Sequence, residues 1–412
     1  MRQRYDVIII GAGPAGMMAA IRAAQRNKKA LLIERNNILG AKLLITGGGC
    51  CNLTNMCDSK DFIAKFSPSR DFLRNAFAQF FNTDLVSFFE EAGIAFMAEE
   101  HGCVFPVSKK ATDIVSALKR KLKDGKVDIL SGERARAIII KDQKIEGVGT
   151  YSGKHFFASR VVISTGGISY PQTGSSGGGY DLAKKLGHTI VPLRPALVPL
   201  IIKEKFIRDW QGISLKNVRV MVLCRGKRIA QRVGGLLFTH FGVSGPMILD
   251  MSAAVYDALA LKNIVELSIN FIPEVNSEAL DAFVLHELKT HSVKSVKNMF
   301  KNILPRGMME QFLAYCNLSS DVSAHQITIE QRRRLVGGLS DLRLTVEGTM
   351  SLKDGMVTRG GVSTREIDPK TMESRLIRGL FFAGEVIDID ANTGGYNLQA
   401  AFSTGWVCGG NV

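Results

Sequence analysis

The chain has 412 residues, of which 46% are hydrophobic and 22% charged, and it carries a formal net charge of +15. This length exceeds one ordinary hydrophobic core and indicates two or three domains, and the composition is that of an ordinary soluble globular protein. No stretch is apolar over the length that a transmembrane helix requires, which excludes a membrane-spanning protein and predicts a cytoplasmic one.

The N-terminal stretch predicts a strand–turn–helix–strand unit that binds a dinucleotide. Val7 to Ile10 form a continuous apolar run, typical of a strand buried on both faces. The next six residues, Gly11 to Gly16 (GAGPAG), match the G-x-G-x-x-G fingerprint, in which glycines allow a tight turn and close approach of the backbone to a pyrophosphate. A helix to about Asn27 and a strand over Ala30 to Ile33 follow. Glu34 ends that strand, where a carboxylate binds ribose hydroxyls.

A glycine-rich loop follows the ribose-binding acid. Three consecutive glycines, at 47 to 49, leave bare backbone that a flat ring or a phosphate can approach closely. Lys42 is placed to meet a phosphate or ribityl oxygen, and Asn52, Thr54 and Asn55 offer amide and hydroxyl partners. The alternative is an ordinary surface loop with turn-forming residues.

The seven cysteines are scattered and odd in number, which is typical of reduced cytosolic thiols. The chain contains no C-x-x-C pair, so a zinc site is not predicted. Cys50 and Cys51 invite comparison with disulfide reductases, in which a thiol pair shuttles electrons beside a flavin. Adjacent cysteines form a strained bridge if they form one at all, so we predict no redox pair here.

A hairpin and a second glycine cluster come next. Strands are predicted over Ala135 to Ile140 and Ile145 to Tyr151, joined by Lys141 to Lys144, and the backbone at Arg134-Ala135 is placed at the adenine. Arg160 to Gly167 then returns a buried strand to the sheet and ends in glycines, where open parallel sheets bind ligands, and Gly174 to Gly179 continue this glycine-rich loop. This cluster is not a second G-x-G-x-x-G, so no second Rossmann domain for a nicotinamide cofactor is predicted.

The sequence pattern changes near residue 190, where we predict a domain boundary. Short strands between Ala196 and Phe271 are typical of a β-barrel or sandwich, and Leu342 to Met350 is a strand that closes a barrel. A polar turn from Phe238 to Pro246 contains His240. Between these regions four helical patterns are predicted, over Ser277 to His291, Val293 to Ile303, Arg306 to Cys316 and Thr328 to Val336.

The segment from Lys203 to Arg232 is rich in Lys and Arg. Such a patch can bind nucleic acid, an acidic membrane face or an anionic substrate. Apolar and charged residues alternate over Val218 to Val222, which favours the simpler interpretation that the charges cover the solvent face of a sheet.

The C-terminal residues complete the nucleotide domain. Gly379 to Glu385 is an apolar strand that ends in Gly-Glu, and residues 394 to 398 lead into a helix to about Cys408, whose amides favour negative charge at the flavin N1/O2 edge. The predicted fold is a split α/β Rossmann-like domain with an inserted β-barrel and a small helical subdomain. The predicted segments are 1–190 and 353–412 for the nucleotide domain, 191–275 and 339–352 for the barrel, and 276–338 for the helical subdomain.

The chain resembles the BaiN-type NAD(P)/FAD-dependent oxidoreductases, bacterial flavoproteins with relatives labelled aminoacetone oxidase. The resemblance covers essentially the whole chain through the strings GAGPAG, TGGGCCNLTN, TGGISYPQTGSSGGGYDLAKKLGH, LLFTHFGVSGP, TRGGVSTREIDPKTMESRLIRGLFFAGEVIDID and NTGGYNLQAAFSTG. The family pattern has Arg where this chain has Cys50. Together the motifs and the resemblance predict FAD contacts at Gly11, Gly13, Ala15, Gly16, Glu34, Arg35, Lys42, Thr46, Gly47, Gly48, Asn52, Ala135, Thr165, Gly166, Gly167, Gly384, Glu385, Asn397 and Leu398.

The resemblance also implies a reaction. Hydride passes from NAD(P)H to FAD and then to a small electron-poor substrate such as a conjugated enone, in a pocket that the inserted barrel and helices cap. Tyr170, His240 and Tyr396 lie in glycine-rich loops and are the candidate proton donors. Two other functions remain open: an oxidase of small amines or ketones, and a flavoprotein that acts on or binds RNA. The sequence specifies no oligomeric state.

Overall fold

The structure is a computed structural model that describes residues 4–66, 69–142, 144–300 and 303–412. The strands are β1 Arg4–Tyr5, β2 Val7–Ile10, β3 Ala30–Ile33, β4 Thr54–Asn55, β5 Phe96–Ala98, β6 Cys103–Pro106, β7 Asp128–Leu130, β8 Ala135–Lys141, β9 Lys144–Thr150, β10 His155–Ala158, β11 Val161–Ile163, β12 Ile190–Ala196, β13 Leu200–Ile202, β14 Ser214–Cys224, β15 Lys227–Thr239, β16 Gly242–Ser244, β17 Val265–Asn270, β18 Leu342–Thr349, β19 Val357–Val362 and β20 Leu380–Phe382. The α-helices are α1 Pro14–Gln25, α2 Ser59–Ile63, α3 Arg70–Gln79, α4 Asn82–Glu90, α5 Ala111–Asp124, α6 Gly178–Lys185, α7 Pro246–Ala260, α8 Ser277–Thr290, α9 Met309–Tyr315, α10 Ile329–Ser340 and α11 Tyr396–Asn411.

The chain divides into two compact units, Met1–Arg194 with Leu352–Val412, and Pro195–Ser351. The first unit is built on a parallel sheet in the order β20-β11-β2-β3-β7. Every residue of β2, β3, β11 and β20 is buried, because helices cover both faces of such a sheet. The predicted Rossmann-like domain is confirmed, and its first and last segments meet where Val161 pairs with both Ile8 and Leu380.

Helices α1 and α11 pack closely on each other beside this sheet. A Cβ at Gly405 would lie 2.2 Å from the carbonyl oxygen of Ala15, and one at Gly409 would lie 2.4 Å from that of Ala19. Glycines four residues apart on α11 therefore allow its backbone to touch that of α1. This contact fixes the fingerprint helix against the C-terminal segment.

Three smaller sheets accompany the parallel sheet within the described residues. One has the order β1-β10-β9-β8 and contains the predicted hairpin β8–β9, whose turn residue Gln143 lies outside the described residues. Another has the order β4-β6-β5 and pairs Asn55 with Cys103. In the third, strand β12 pairs with β19.

The second unit contains a closed barrel of six strands in the order β13-β16-β15-β14-β17-β18. The predicted barrel is confirmed, and β18 closes it by pairing with β13 and β17. Val218, Val220 and Val222 of β14 are buried in its core, while Lys216 and Arg232 are exposed. The alternation predicted over Val218 to Val222 is therefore confirmed as a strand with one buried face.

Three of the four predicted helices of this unit form, as α8, α9 and α10. The helix predicted over Val293 to Ile303 is wrong: only a 3-10 turn at Val296–Asn298 forms, and residues 301–302 lie outside the described ranges. Ser295 instead pairs with Ser323, and the Val296 amide donates to the Val322 carbonyl at 3.1 Å. These bonds to a segment distant in the chain replace the local ones that a helix needs.

Candidate functional site

The fingerprint turn connects β2 to α1 with little free space on its inner side. Gly11 has φ +102°, and a Cβ there would lie 2.6 Å from the Ser164 carbonyl oxygen. A Cβ at Gly16 would lie 1.9 Å from the Gly11 carbonyl oxygen, so both positions require glycine. Gly13 differs, because a Cβ there would meet no atom within 4 Å. The N-terminus of α1 thus faces open space, and no side chain among the described residues caps it.

The amides at this helix end can bind an anion. The first four N–H groups of an α-helix have no intrahelical acceptor, and the helix dipole adds a partial positive charge. Pro14 stands at the first helical position, where the missing N–H costs nothing. Ala15 and Gly16 then present their amides towards the space in front of Gly13, which suits a pyrophosphate.

Glu34 is held rigidly at the end of β3. Its side chain is buried, Oε2 accepts a hydrogen bond from Ala12 N at 2.7 Å, and Oε1 accepts one from Asn36 N at 2.9 Å. Each carboxylate oxygen keeps a further lone pair for a hydroxyl donor. Its neighbour Arg35 donates to the Gly174 carbonyl at 3.2 Å, which brings the second glycine cluster to this edge of the sheet.

The end of β11 forms the opposite wall. Ser164 Oγ donates to the carbonyl oxygens of Ile10 and Gly11, both at 3.0 Å. Thr165 Oγ1 is buried and has no hydrogen-bond partner within the described ranges. Gly166 has φ +71°, and a Cβ there would meet nothing within 4 Å. A Cβ at Gly167 would instead lie 2.3 Å from Thr358 Oγ1, so this glycine serves packing.

The loop after Lys42 is a 3-10 helix at Leu43–Gly49 that is interrupted at Thr46, Gly47 and Gly48. Gly47 and Gly48 adopt left-handed conformations, and the side of Gly48 where a Cβ would point is open. Asn52 Oδ1 is buried without a partner in the part of the chain that the structure describes.

The adjacent cysteines of this loop are both free thiols. Burial raises the pKa of Cys51 to about 12, which keeps it protonated.

Two predicted cofactor contacts, Lys42 and Glu385, are bonded to each other. Lys42 Nζ lies 2.7 Å from Glu385 Oε2 and donates to Ser169 Oγ at 2.7 Å. The other carboxylate oxygen of Glu385 accepts from Thr358 N at 2.8 Å and from Ser169 Oγ at 3.2 Å. Lys42 therefore neutralises a carboxylate of its own chain, whereas the sequence placed it at a phosphate or ribityl oxygen.

The sequence did not single out Ser169 or Thr358. Thr358 Oγ1 accepts hydrogen bonds from Ile168 N at 2.9 Å and Ser169 N at 3.2 Å, so β19 and the second glycine cluster are tied together. The position of Ser169 inside that cluster was the available signal. Thr358 has none, because its partners lie far away in the chain.

Other buried ionisable groups surround the Gly384–Glu385 turn. Tyr180 Oη donates to the Glu385 carbonyl at 3.3 Å, and burial, with help from Glu385 and Asp388, raises the pKa of Tyr180. Burial also raises the pKa of Asp388, although the Gly360 amide and Arg359 oppose the shift. The phenol therefore stays protonated even above its usual pKa of 10.

The N-terminus of α11 lies against β4. Gly395 precedes the helix with φ +92°, and a Cβ there would lie 2.4 Å from the Thr54 carbonyl oxygen. The Asn397 side chain accepts from Ala391 N at 2.9 Å and donates to the Ala391 carbonyl at 2.9 Å, so it braces the preceding loop. Leu398 is half-buried beside it.

The three candidate proton donors have different surroundings. Tyr396 is buried with its ring 4.8 Å from Phe62, and its hydroxyl lies 3.9 Å from Cys57 Sγ. Tyr170 is half-buried in a left-handed conformation, and its amide donates to the Lys353 carbonyl. His240 belongs to the second unit, where it is exposed in the turn between β15 and β16. Their catalytic roles stay predictions.

These residues fit FAD. Buried polar atoms without partners are rare in proteins. Among those that the described residues leave, Asn52 Oδ1 and Thr165 Oγ1 lie in the segments that follow β3 and β11. Gly13, Gly48 and Gly166 each leave open space where other residues carry a side chain. Within the described residues, no helix has the length and hydropathy of a membrane span.

Comparison with known families and proteins agrees with this assignment. The model of the family described as HI0933-like protein Rossmann domain matches residues 5–411. The ribosomal RNA dihydrouridine synthase of Escherichia coli is 33% identical over 98% of this chain and 97% of its own. The 3-dehydro-bile acid delta(4,6)-reductase of Clostridium scindens is 31% identical over 97% of both chains.

Solved structures show the same fold at low identity. The 3-ketosteroid delta1-dehydrogenase of Sterolibacterium denitrificans matches with a TM-score of 0.56 at 12% identity, over 99% of both chains. The FrdA chain of Escherichia coli quinol fumarate reductase matches with a TM-score of 0.51 at 16% identity, over 99% of this chain and 70% of its own. The chain belongs to the HI0933-like family of Rossmann flavoproteins and is a flavin-dependent oxidoreductase with FAD as its cofactor.

Proposed function

We propose that this protein takes hydride from NAD(P)H and reduces a carbon–carbon double bond conjugated to a carbonyl in a small organic substrate. The observation that carries the proposal is the relative named 3-dehydro-bile acid delta(4,6)-reductase, which is similar along its whole length. Its name describes the reduction of double bonds next to a keto group. The relatives named dihydrouridine synthase also saturate a double bond conjugated to a carbonyl, in the uracil ring.

The residues of the first unit would divide the work of holding FAD. The amides of Ala15 and Gly16 bind the pyrophosphate, and Glu34 binds the adenosine ribose hydroxyls with its free lone pairs. Asn52 Oδ1 and Thr165 Oγ1 are the buried polar atoms available to hydroxyl and amide groups of the cofactor. FAD supplies the hydride chemistry, which no protein side chain can perform.

The substrate also needs a proton at its α-carbon, and we propose Tyr170 as the donor. Tyr396 is less suited, because its ring is packed against Phe62 and its hydroxyl lies beside Cys57. Replacing Tyr170 with Phe would lower the rate of substrate reduction by about 100-fold or more and leave the rate at which NAD(P)H reduces the flavin unchanged. Tyr396→Phe is the matched control, and an equal loss in both variants would contradict the assignment.

Anaerobic stopped-flow spectroscopy tests the proposed reaction. Mixing the yellow protein with NADH or NADPH should bleach the flavin absorbance, and a conjugated enone should restore it in a second mixing step. Re-oxidation only by oxygen, with peroxide formed from small amines or ketones, would favour the oxidase alternative. Failure of both nicotinamides to bleach the flavin would contradict the proposed donor.

A uridine in RNA is a second candidate substrate. Relatives named ribosomal RNA dihydrouridine synthase are 33% and 32% identical over 98% and 99% of this chain, and the protein carries a net charge of +15. Incubation with unmodified ribosomal RNA and NAD(P)H, followed by mass spectrometry of the nucleosides, tests this candidate. Formation of dihydrouridine would support it, and a product spectrum identical to that of heat-inactivated protein would exclude it.

A further inference from the structure

A cleft of about 330 Å³ opens in the first unit between the beginning of β8 and α6. Arg134 and Arg136 line it from the strand side, and Lys184 and Lys185 line it from the last turn of α6. All four side chains are exposed. Strand β8 is the edge of its sheet, so no further strand covers this side.

The charges in this cleft are not balanced by the protein. Asp181 is the one carboxylate among its lining residues. Within the described ranges, none of the four cations forms an ion pair. Four cations against one carboxylate leave the cleft with a net positive charge, which attracts anions from solution.

An aromatic ring completes the cleft. Tyr151 is 59% exposed, which is unusual for a large aromatic side chain, and the Arg134 guanidinium lies 4.7 Å from the centre of its ring. The Tyr151 amide donates to the Arg134 carbonyl at 2.9 Å, so the two residues are held together by the backbone as well. An exposed ring beside several cations is the combination that binds single-stranded nucleic acids, in which bases stack and phosphates pair with cations.

We propose that this cleft binds the sugar–phosphate backbone of single-stranded RNA, with Tyr151 stacking on one base. The proposal rests on the second candidate function, that of an RNA-modifying enzyme, and names a surface that would hold its substrate. An extended polyanion suits an open cleft with four cations better than a single phosphate does. An acidic peptide would use the cations but would leave the exposed ring without a role.

Fluorescence anisotropy with a labelled single-stranded RNA measures the interaction without turnover. Neutralising two cations in the variant Arg136→Gln/Lys185→Gln should weaken binding and reduce the slope of log Kd against log salt by about 1.4, since a single strand releases roughly 0.7 counterions per phosphate. The matched control is Lys119→Gln/Lys123→Gln, which removes the same charge from exposed positions on α5.

A second variant separates stacking from charge. Tyr151→Ala should weaken binding by about 10-fold with an unchanged salt slope, because base stacking releases no counterions. Tyr151→Phe keeps the ring and should bind as the unaltered protein does. Visible absorbance reports the FAD content of every variant, since Ala135, a predicted adenine contact, also lines the cleft.

The outcomes distinguish failure of this site from failure of the candidate function. Equal RNA binding by the cleft and control variants would overturn the site and leave RNA as a candidate substrate. Absence of RNA binding by the unaltered protein at low salt would overturn both, without bearing on enone reduction. Loss of FAD from the cleft variants alone would assign the cleft to the resident cofactor and overturn the proposal.

Discussion

The ion pair of Lys42 and Glu385 joins residues 343 positions apart in the chain. Both side chains are mostly buried, at 24% and 20% exposed, and Lys42 also donates to Ser169 while Glu385 accepts from Thr358. The pair therefore connects the loop after β3, the second glycine cluster and the C-terminal segment of the nucleotide domain. It holds these three segments together, and we expect it to shape the proposed cofactor site in this way.

Replacing Lys42 with Met should lower the free energy of unfolding by about 1–3 kcal/mol, because it leaves a largely buried carboxylate without its counter-charge. The affinity for FAD should fall as well. Urea denaturation and FAD titration measure the two effects. The control Lys297→Met breaks an exposed pair with Asp321 and should change stability by less than about 0.5 kcal/mol. Equal effects of both changes would contradict a special role for Lys42.

His188 is a second residue whose environment was not visible in the sequence. It is buried, its Nδ1 lies 3.1 Å from Glu366 Oε2, and its Nε2 lies 2.9 Å from Ser374 Oγ. Burial lowers the pKa of His188 below its usual 6.5, although Glu366 opposes the shift. The folded protein therefore favours the neutral imidazole.

This shift makes stability depend on pH. Below pH 6.5 the unfolded chain binds a proton at His188 that the folded protein does not, so stability is full above that pH and falls as the pH is lowered towards the folded pKa. Urea denaturation at a series of pH values should show that the free energy of unfolding falls as the pH is lowered, and that this fall is shallower in His188→Gln. The exposed His286→Gln should keep the slope of the unaltered protein. Equal slopes in all three proteins would refute the assignment.

At the level of elements, the contact between α1 and α11 decides where the fingerprint helix lies. Because Cβ atoms at Gly405 and Gly409 would approach backbone oxygens of α1 within 2.4 Å, no larger residue fits without moving a helix. The hydrogen bond from Gly384 N to Thr404 Oγ1, at 2.9 Å, adds the Gly-Glu turn to the same packing unit.

Gly409→Ala should therefore destabilise the protein by about 1–3 kcal/mol, because the added methyl group overpacks the helix contact. Gly410→Ala is the matched control, since a Cβ at that position meets nothing within 4 Å. Its higher helix propensity should leave stability unchanged or raise it by up to about 1 kcal/mol. Thermal denaturation measures the stability of both variants. If Gly409→Ala leaves stability unchanged, α1 and α11 can move apart at little cost and the prediction is wrong.

At the level of the whole molecule, each unit has its own hydrophobic core. One core surrounds the parallel sheet and includes Ile9 and Phe382, and the other fills the barrel and includes Phe238 and Leu267. Separate cores allow separate unfolding transitions. A ligand held by one unit stabilises that unit directly.

We expect calorimetry to resolve two unfolding transitions, one for each unit. Added FAD should raise the free energy of unfolding of the first unit only, by about 2.7 kcal/mol at a free concentration roughly 100 times its Kd. Leu267→Ala, in the barrel core, should lower the free energy of unfolding of the second unit by about 2–5 kcal/mol. A single transition that shifts equally with FAD and with this substitution would show that the two units unfold as one.

Much of the fold followed from local patterns in the sequence. The continuous apolar runs of β2, β3 and β11 determine buried parallel strands, and the glycine spacing of the fingerprint determines the turn, because in both cases the cause lies within a few neighbouring residues. The alternation in β14 likewise determined a strand with one buried face. The family strings extended this inference to FAD.

Only the tertiary structure decided which distant groups satisfy one another. It paired Lys42 with Glu385, buried His188 between Glu366 and Ser374, and replaced the helix expected near Val296 with bonds to Val322. Each depends on a partner far away in the chain, and the number of possible pairings is too large for local pattern to select one. The sequence by itself determined the elements and the cofactor class, whereas long-range packing decided which charged and buried groups satisfy one another.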